Sequence, residues 1–484
     1  MMYGRKEYEG FDKKAWRRNK VLESLREAIE RVGLSDGDTI SFHHHLRNGD
    51  AVVNMVLDAA AKMGIRDLRL AQTALFPVHE PVIEHIKSGV VTAIEGSING
   101  PVGAFISKNA PLKEPVVLRS HGGRVRAVTE GELEIDVAFI AASQADDYGN
   151  CNGINGPSAF GPISYSIVDS LYADRVVVVT DELVPYPATP ILISQEYVDY
   201  VVKVPSIGRP EGIVHGTTRI TKDEVKLKIA KKAIEFIDAI GIIKDGFSFQ
   251  AGAGGISLAA MMFMKEIMKN RGIKASFAMG GTTKYTVEML REGLVKKLLT
   301  GQCFDLEAVE SLRGDKNHEI ISMGFYANLA SGGRATERLS VGFLGATEVD
   351  VNFNVNVNTH SDGLLLHGIG GHQDVASGAE VSVIVTPLVR KKIPIVREEV
   401  TTISTPGDVV DVVVTDHGVA VNPRRDDIIK KAEESKYPIM SIEELAKTAE
   451  KLCGKPEKPS LSDEDVAIIE FVDGTLLDTV KRVA

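Results

Sequence analysis

The chain has 484 residues, 44% hydrophobic and 25% charged, with a formal net charge of −10 and a pI near 5.7. That length implies about two to four domains, each able to bury a core, and the acidic balance excludes a general nucleic-acid binder, which needs a basic face. Cys151, Cys303 and Cys453 are odd in number and form no C-x-x-C pair, so neither a disulfide framework nor a zinc site is expected and a reducing cytosol suits them.

No uninterrupted apolar run reaches the ~18 residues of a membrane span. The N-terminus, with Lys13, Lys14, Arg17 and Arg18, lacks an apolar signal core, which leads to the expectation of a soluble cytoplasmic protein. Residues 12–32 read as an amphipathic helix carrying Trp16, Leu22, Leu25, Ile29 and Val32 roughly on one face, within a helical extension over 1–30. Next, L-S-D-G-D-T-I-S-F-H-H-H-L-R-N-G-D gives a turn, a strand and a polar strand end, and Asn48 or Asp50 is placed to cap a helix over 51–63. Apolar runs at 116–118, 137–141 and 176–179 then alternate with helical stretches. Such runs fit strands buried on both faces of a mostly parallel α/β sheet.

The second half repeats the first. Segments 34–42, 86–91, 135–146 and 173–181 return in order at 243–250, 290–295, 339–350 and 379–387. So long a period is not a solenoid and indicates a duplicated α/β domain, with copies over 31–215 and 216–455. Beyond the linker K-P-E-K-P-S, residues 456–484 contain Asp473-Gly474 between two alternating runs, a strong β-hairpin signal.

Several stretches carry chemistry. His43-His44-His45-x-Arg47-Asn48 ends a strand. A metal site is weakly supported there, because alternation lets only His43 and His45 point together; a structural role and a carboxylate site around Arg47 remain open. Arg119-Ser-His121-Gly-Gly-Arg124 sets glycines between cations, as a carboxylate or phosphate site would and as a solvated basic loop also would.

Glycine-rich turns follow two strands of the second copy, around Gly252, Gly254 and Gly255 and around Gly280 and Gly281. The first breaks the G-x-G-x-x-G spacing, which argues against NAD. Residues 348–358, E-V-D-V-N-F-N-V-N-V-N, place Glu348, Asp350 and four asparagines on one strand face, suited to a polar ligand or to an exposed edge. Finally 363–380, G-L-L-L-H-G-I-G-G-H-Q-D-V-A-S-G-A-E, gathers Gly368, Gly370, Gly371 and His372 ahead of a helix whose free N–H groups suit an anion or oxyanion. Together these describe a site for a polyanionic carboxylate beside a phosphate-bearing acyl carrier.

S-F-H-H-H-L-R-N-G-D, F-P-V-H-E-P, R-S-H-G-G-R-V-R-A, V-T-D-E-L-V-P-Y-P, D-G-F-S-F-Q-A-G-A-G-G and A-V-N-P-R-R resemble the citrate lyase alpha-subunit family, within the family I CoA-transferase superfamily, from about residue 30 onward. The resemblance implies two CoA-transferase-like open-sheet domains and a transferase that exchanges acetate for citrate on a thioester. It implies no cofactor on this chain. The thioester would be the CoA-derived phosphopantetheine arm of a partner acyl carrier protein (the gamma subunit) or a free CoA thioester, and a beta subunit would cleave the product. A homo-oligomer in a larger complex, with no nucleic acid, membrane or metal, is implied as well.

On this reading His43, His45, Arg47, Asn48, Arg119, His121 and Arg124 bind substrate. Gly252, Gly368, Gly370, Gly371 and His372 meet the carrier arm. Gly254, Gly255, Gly280 and Gly281 hold the oxyanion, with Glu348 as the reserve nucleophile. Gly280 stands where many superfamily members carry a nucleophilic glutamate, consistent with transfer without a covalent enzyme ester. A citramalate transferase and a carrier-holding scaffold are the alternatives.

Overall fold

The computed structural model describes residues 19–214, 220–252 and 254–484. The first copy contributes β1 (Val21–Leu22), β2 (Thr39–Phe42), β3 (Leu68–Gln72), β4 (Val91–Ile94), β5 (Val137–Ala142), β6 (Arg175–Thr180) and β7 (Tyr200–Lys203), in the order β1-β7-β6-β5-β2-β3-β4 and all parallel. The second contributes β8 (Ser248–Ala251), β9 (Phe277–Thr282), β10 (Leu298–Cys303), β11 (His318–Ile320), β12 (Val341–Leu344), β13 (Val381–Val385), β14 (Val412–Val414) and β15 (Val419–Val421). Their order is β11-β10-β9-β8-β12-β13-β14-β15, with only the β14–β15 pair antiparallel.

Six strands of one sheet thus match six of the other in order: β4-β3-β2-β5-β6-β7 against β10-β9-β8-β12-β13-β14. The apolar runs account for this. Every residue of β5 is buried, as is all of β6 after Arg175, the pattern of strands covered on both faces. One contiguous cluster of buried apolar side chains runs through both copies.

The helices that bear on the site are α1 (Leu25–Val32), α2 (Val52–Lys62), α3 (His121–Thr129), α4 (Glu224–Ala239), α5 (Gly255–Arg271) and α6 (His372–Gly378). Among the described residues, the helix expected over 12–32 covers Leu25–Val32, and 19–24 lie outside it. Ser24 accepts from the Glu27 amide at 3.2 Å while Glu27 accepts from the Glu23 amide at 3.0 Å, a reciprocal cap that stops the helix there. Val21–Leu22 instead extends the first sheet beside β7. Trp16 and the rest of 12–18 lie outside the described residues. Asp50 does serve the start of α2, accepting from the Val53 amide at 3.2 Å.

The C-terminal hairpin joins β16 (Leu461–Glu470) and β17 (Leu476–Val483) through Asp473-Gly474, where Gly474 has φ +88°. β16 pairs in parallel with Val116–Leu118, so the end of the chain returns to the first copy.

The row of alternating acids and amides at 348–358 is not one strand. Glu348–Asp350 turns back through Phe353 (φ +65°) to pair antiparallel with Val355–Asn356. The cause is side-chain competition for the backbone: Asp350 accepts from the amides of Asn352 and Asn354 at 2.8 and 3.0 Å, and Asn356 accepts from those of Asn358 and Thr359 at 3.0 Å each. The first copy does the same with Asp146 and Asn152.

Candidate functional site

The carboxyl ends of parallel strands are where open α/β sheets leave room for ligands, and here the two copies turn these ends toward each other. After β2, His44 donates through Nε2 to Gln302 Oε1 of β10 at 3.2 Å, and Gln302 Nε2 returns to the His44 carbonyl at 3.3 Å. On the same seam the His121 amide donates to the Gly370 carbonyl at 2.9 Å. The strand end 43–48 and the glycine turn 368–371 therefore both lie between the copies.

Arg47 occupies the seam with φ +52°. A non-glycine residue held there is strained by ~1–3 kcal/mol and persists only when its surroundings impose it. Its guanidinium lies 5.0 Å from the Phe76 ring centre and 4.9 Å from that of Phe304, one ring from each copy. Among the described residues no carboxylate pairs with it and Nε has no hydrogen-bond partner. Burial alone lowers its pKa to about 10. A buried cation without an anion is costly, and this one is shaped for a planar carboxylate.

Around it stand histidines held neutral. Burial lowers His43 and His121 to about 4 and drives His44 and His45 well below their ordinary value; the charge of Arg47 adds to the effect at His44 and His121. Their tautomers follow from the bonds. His43 Nε2 donates to the Ala141 carbonyl at 3.0 Å, so its Nδ1 accepts from His45 Nδ1 at 2.6 Å. His44 donates through Nε2, so its Nδ1 accepts from Thr73 Oγ1 at 2.5 Å. His43 and His45 are thus joined to each other, and among the described residues no group of three His, Cys, Asp or Glu could hold a metal ion. The His121 ring stacks on His44 at 5.9 Å and meets Tyr165 edge-on at 5.2 Å, with no hydrogen bond to either ring nitrogen among the described residues.

The floor opposite is bare backbone. Near its end β9 carries Gly280 (φ +104°) and Gly281, with a register shift against β10 between them. A Cβ at Gly281 would stand 1.8 Å from the Phe304 ring. Beside this floor Gln250, at the end of β8, is 8% exposed, its Oε1 has no partner, and its Nε2 lies 4.0 Å from where a Cβ on Gly280 would sit. Gly252 and Gly254 lead into α5, whose first residue is Gly255. Among the described residues no side chain caps that helix, and a Cβ on Gly254 would meet nothing within 4 Å.

Other candidates are committed elsewhere. Arg119 is paired with Glu95 and with Glu470, the latter at 2.5 Å, and Arg124 is bidentate to Asp169 at 2.8 and 2.9 Å. The cavity that both line, together with His121, Ser120 and Tyr165, has about 10 Å³ of free space, enough for one water and too little for a carboxylate. Asn48 accepts from the Val78 amide at 3.0 Å and fixes the turn.

Glu348 is 0% exposed and saturated. It is ion-paired with Arg397 at 2.7 Å and accepts from Ser361, Asn356, and the amide and hydroxyl of Thr401. It has no free oxygen with which to act as a nucleophile.

Gly368 is bare because a Cβ there would stand 1.8 Å from Ser97 Oγ, and one at Gly371 would stand 2.8 Å from the Tyr326 hydroxyl. Gly370 has φ +63° and a Cβ there would lie 3.8 Å from His121. These three glycines let the copies approach. They do not open a helix N-terminus to a ligand. Asp374 fills that role in reverse, accepting from Ser120 Oγ at 2.7 Å and from the Gly122 amide at 3.1 Å and so closing α3 from the other copy. His372 donates to the Gly345 carbonyl at 3.0 Å and accepts from Thr405 Oγ1 at 2.8 Å, a packing role.

Sequence reasoning missed Gln250, Gln302, Phe76 and Phe304. Phe304 lies two residues past Gln302 on a strand end aligned by the duplication with the first copy, but nothing local marks either.

The profile described as citrate lyase, alpha subunit, matches residues 18–483. A Haemophilus influenzae citrate lyase alpha chain is 48% identical over 96% of this chain and 93% of its own, and one from Klebsiella pneumoniae is 46% identical over 96% and 92%. A Streptococcus mutans structure described as an alpha subunit of citrate lyase in complex with citrate superposes with TM-score 0.94 at 49% identity, covering 96% of this chain and 92% of that one. A Pseudomonas malonate decarboxylase hetero-tetramer chain, at 16% identity and TM-score 0.66 over 91% of this chain and 87% of its own, shares the fold.

Proposed function

The chain belongs to the citrate lyase alpha-subunit family, and from that membership we propose how its cleft works. Its activity is citrate CoA-transfer: citrate takes the place of acetate on a thioester. We read the thioester as the CoA-derived phosphopantetheine arm of a partner acyl carrier subunit in the cytoplasm, with free CoA thioesters as stand-ins. The chain holds no cofactor of its own, and a further partner subunit cleaves the citryl thioester to oxaloacetate and acetyl thioester. The observation that carries the substrate assignment is Arg47, a largely buried guanidinium with no carboxylate partner among the described residues, held between rings of both copies.

A citrate carboxylate oxygen attacks the acetyl carbonyl carbon, the C=O pair moves to oxygen, and collapse expels the thiolate, leaving a mixed anhydride. The thiolate then attacks the citryl carbonyl and expels acetate, so no net proton is gained or lost. Positioning supplies ~7–11 kcal/mol of such a barrier and one oxyanion donor roughly 3–4 more, so an enzyme nucleophile is not required. Gly280 offers none, and neither does Glu348, whose oxygens are all engaged.

The test is exchange of labelled acetate or citrate into their CoA thioesters by the purified chain, with citramalate run in parallel. Exchange with citrate is expected. Exchange only with citramalate would move the substrate, because one substituent in a pocket is a small change, and no exchange would leave a carrier-holding scaffold.

A further inference from the structure

Beside the glycine floor, Gln250 carries a side-chain amide that no described residue engages. Gln250 is 8% exposed, its Oε1 is fully buried without a donor, and its Nε2 makes no hydrogen bond to another described residue. The Nε2 hydrogens of so sheltered a side chain, with no acceptor among the described residues, are free to meet a ligand oxygen. Its surroundings direct it. The nearest atoms to the missing side chain of Gly280 are Gln250 Cγ at 3.4 Å and Nε2 at 4.0 Å, so the bare backbone of Gly280 opens the space into which the amide reaches. Gln250 pairs with Met279 on β9, and Gly281 pairs with Gln302 on β10, so Gln250, the glycine pair and Gln302 stand side by side on three neighbouring strands. Gln302 is already engaged with His44, whereas Gln250 is not.

We propose that the Gln250 side-chain amide is a catalytic oxyanion donor of the transferase, its Nε2–H meeting the thioester carbonyl oxygen as the substrate carboxylate attacks. This rests on the transfer reading above. The new bond is from carboxylate oxygen to acyl carbon, the carbonyl π pair moves onto the oxygen facing Gln250, and that pair returns as the C–S bond breaks and the thiolate leaves. The same amide meets the citryl carbonyl when the thiolate attacks the anhydride and acetate departs. A donor fixed before reaction and aimed at charge present only in the transition state is worth about 10²–10³ in kcat.

The prediction sets function and stability in opposite directions. Gln250→Met, of similar shape and apolar, removes an amide that has no partner in the fold, so the melting temperature should hold or rise. The kcat of citrate-dependent exchange should fall about a hundredfold or more, with the KM for citrate within about twofold, since only transition-state binding is lost. Gln250→Asn, which withdraws the same amide by one methylene, should lose at least about tenfold in kcat and provides the reading if the Met variant folds poorly. A wild-type chain that exchanges label while both variants match its kcat would overturn the assignment and leave the transfer reading intact. So would a Gln250→Asn variant that keeps the wild-type melting temperature and the wild-type kcat.

Discussion

Replacing Arg47 with Leu tests the substrate site where it is most exposed to refutation. Among the described residues this guanidinium has no carboxylate to lose; what it has is the contact of two rings, ~0.5–2 kcal/mol, set against the burial that lowers its pKa to about 10. It also sits at φ +52°, a strain that Leu inherits unchanged. These contributions nearly cancel, so the melting temperature should move by no more than a few degrees. Binding is different. A charge-assisted hydrogen bond to a substrate carboxylate is worth roughly 1.5–3 kcal/mol, a ten- to hundredfold rise in the citrate concentration for half-maximal exchange. Arg47→Lys keeps the charge and loses the planar fork, so it should fall between the two. The assay is labelled-citrate exchange against citrate concentration, with calorimetry on the same samples. A citrate dependence equal to the wild type's in Arg47→Leu would refute the reasoning.

Arg124→Leu leaves Asp169 buried without its bidentate partner and should cost about 3–5 kcal/mol of stability; a variant as stable as the wild type by denaturant unfolding would show that the pair is not structural. Incubation with acetyl-CoA followed by hydroxylamine or borohydride trapping and mass mapping should find no modified glutamate, and a labelled Glu348 or ping-pong kinetics would show that the enzyme forms a covalent ester. Acid should weaken the fold between pH 6.5 and about 4. His43 and His121 bind protons in the unfolded chain near 6.5 but in the folded one only near 4, so the stability they contribute is complete above 6.5 and is lost as pH falls toward 4. Asp374 opposes this, since burial raises it from 3.8 to about 6 and its contribution falls as pH rises through that window. Asp374→Asn should therefore make the acid loss steeper in a melting-temperature series, and an unchanged slope would remove Asp374 from the account.

The duplication, the parallel α/β class and the C-terminal hairpin were legible in the chain itself, because apolar runs, shared spacing and an Asp-Gly turn are local signals. So was the strand end carrying Arg47. What sequence reading got wrong has a common cause. At 348–358 alternation promised a polar strand face, but Asp350 and Asn356 bind the backbone and fold it into a hairpin. Arg119, Arg124 and Glu348 carry the right charges for a carboxylate site, yet each is matched by a partner 24 to 351 residues away, a pairing that no local pattern encodes. The same distance rule hid Gln250, whose amide no described residue engages and which lies beside a glycine on the next strand. Sequence fixes which groups are present and what elements they form. Only the packing of the two copies decides which charges are neutralised internally and which remain for a ligand, because burial and pairing depend on neighbours that the chain brings together only when folded.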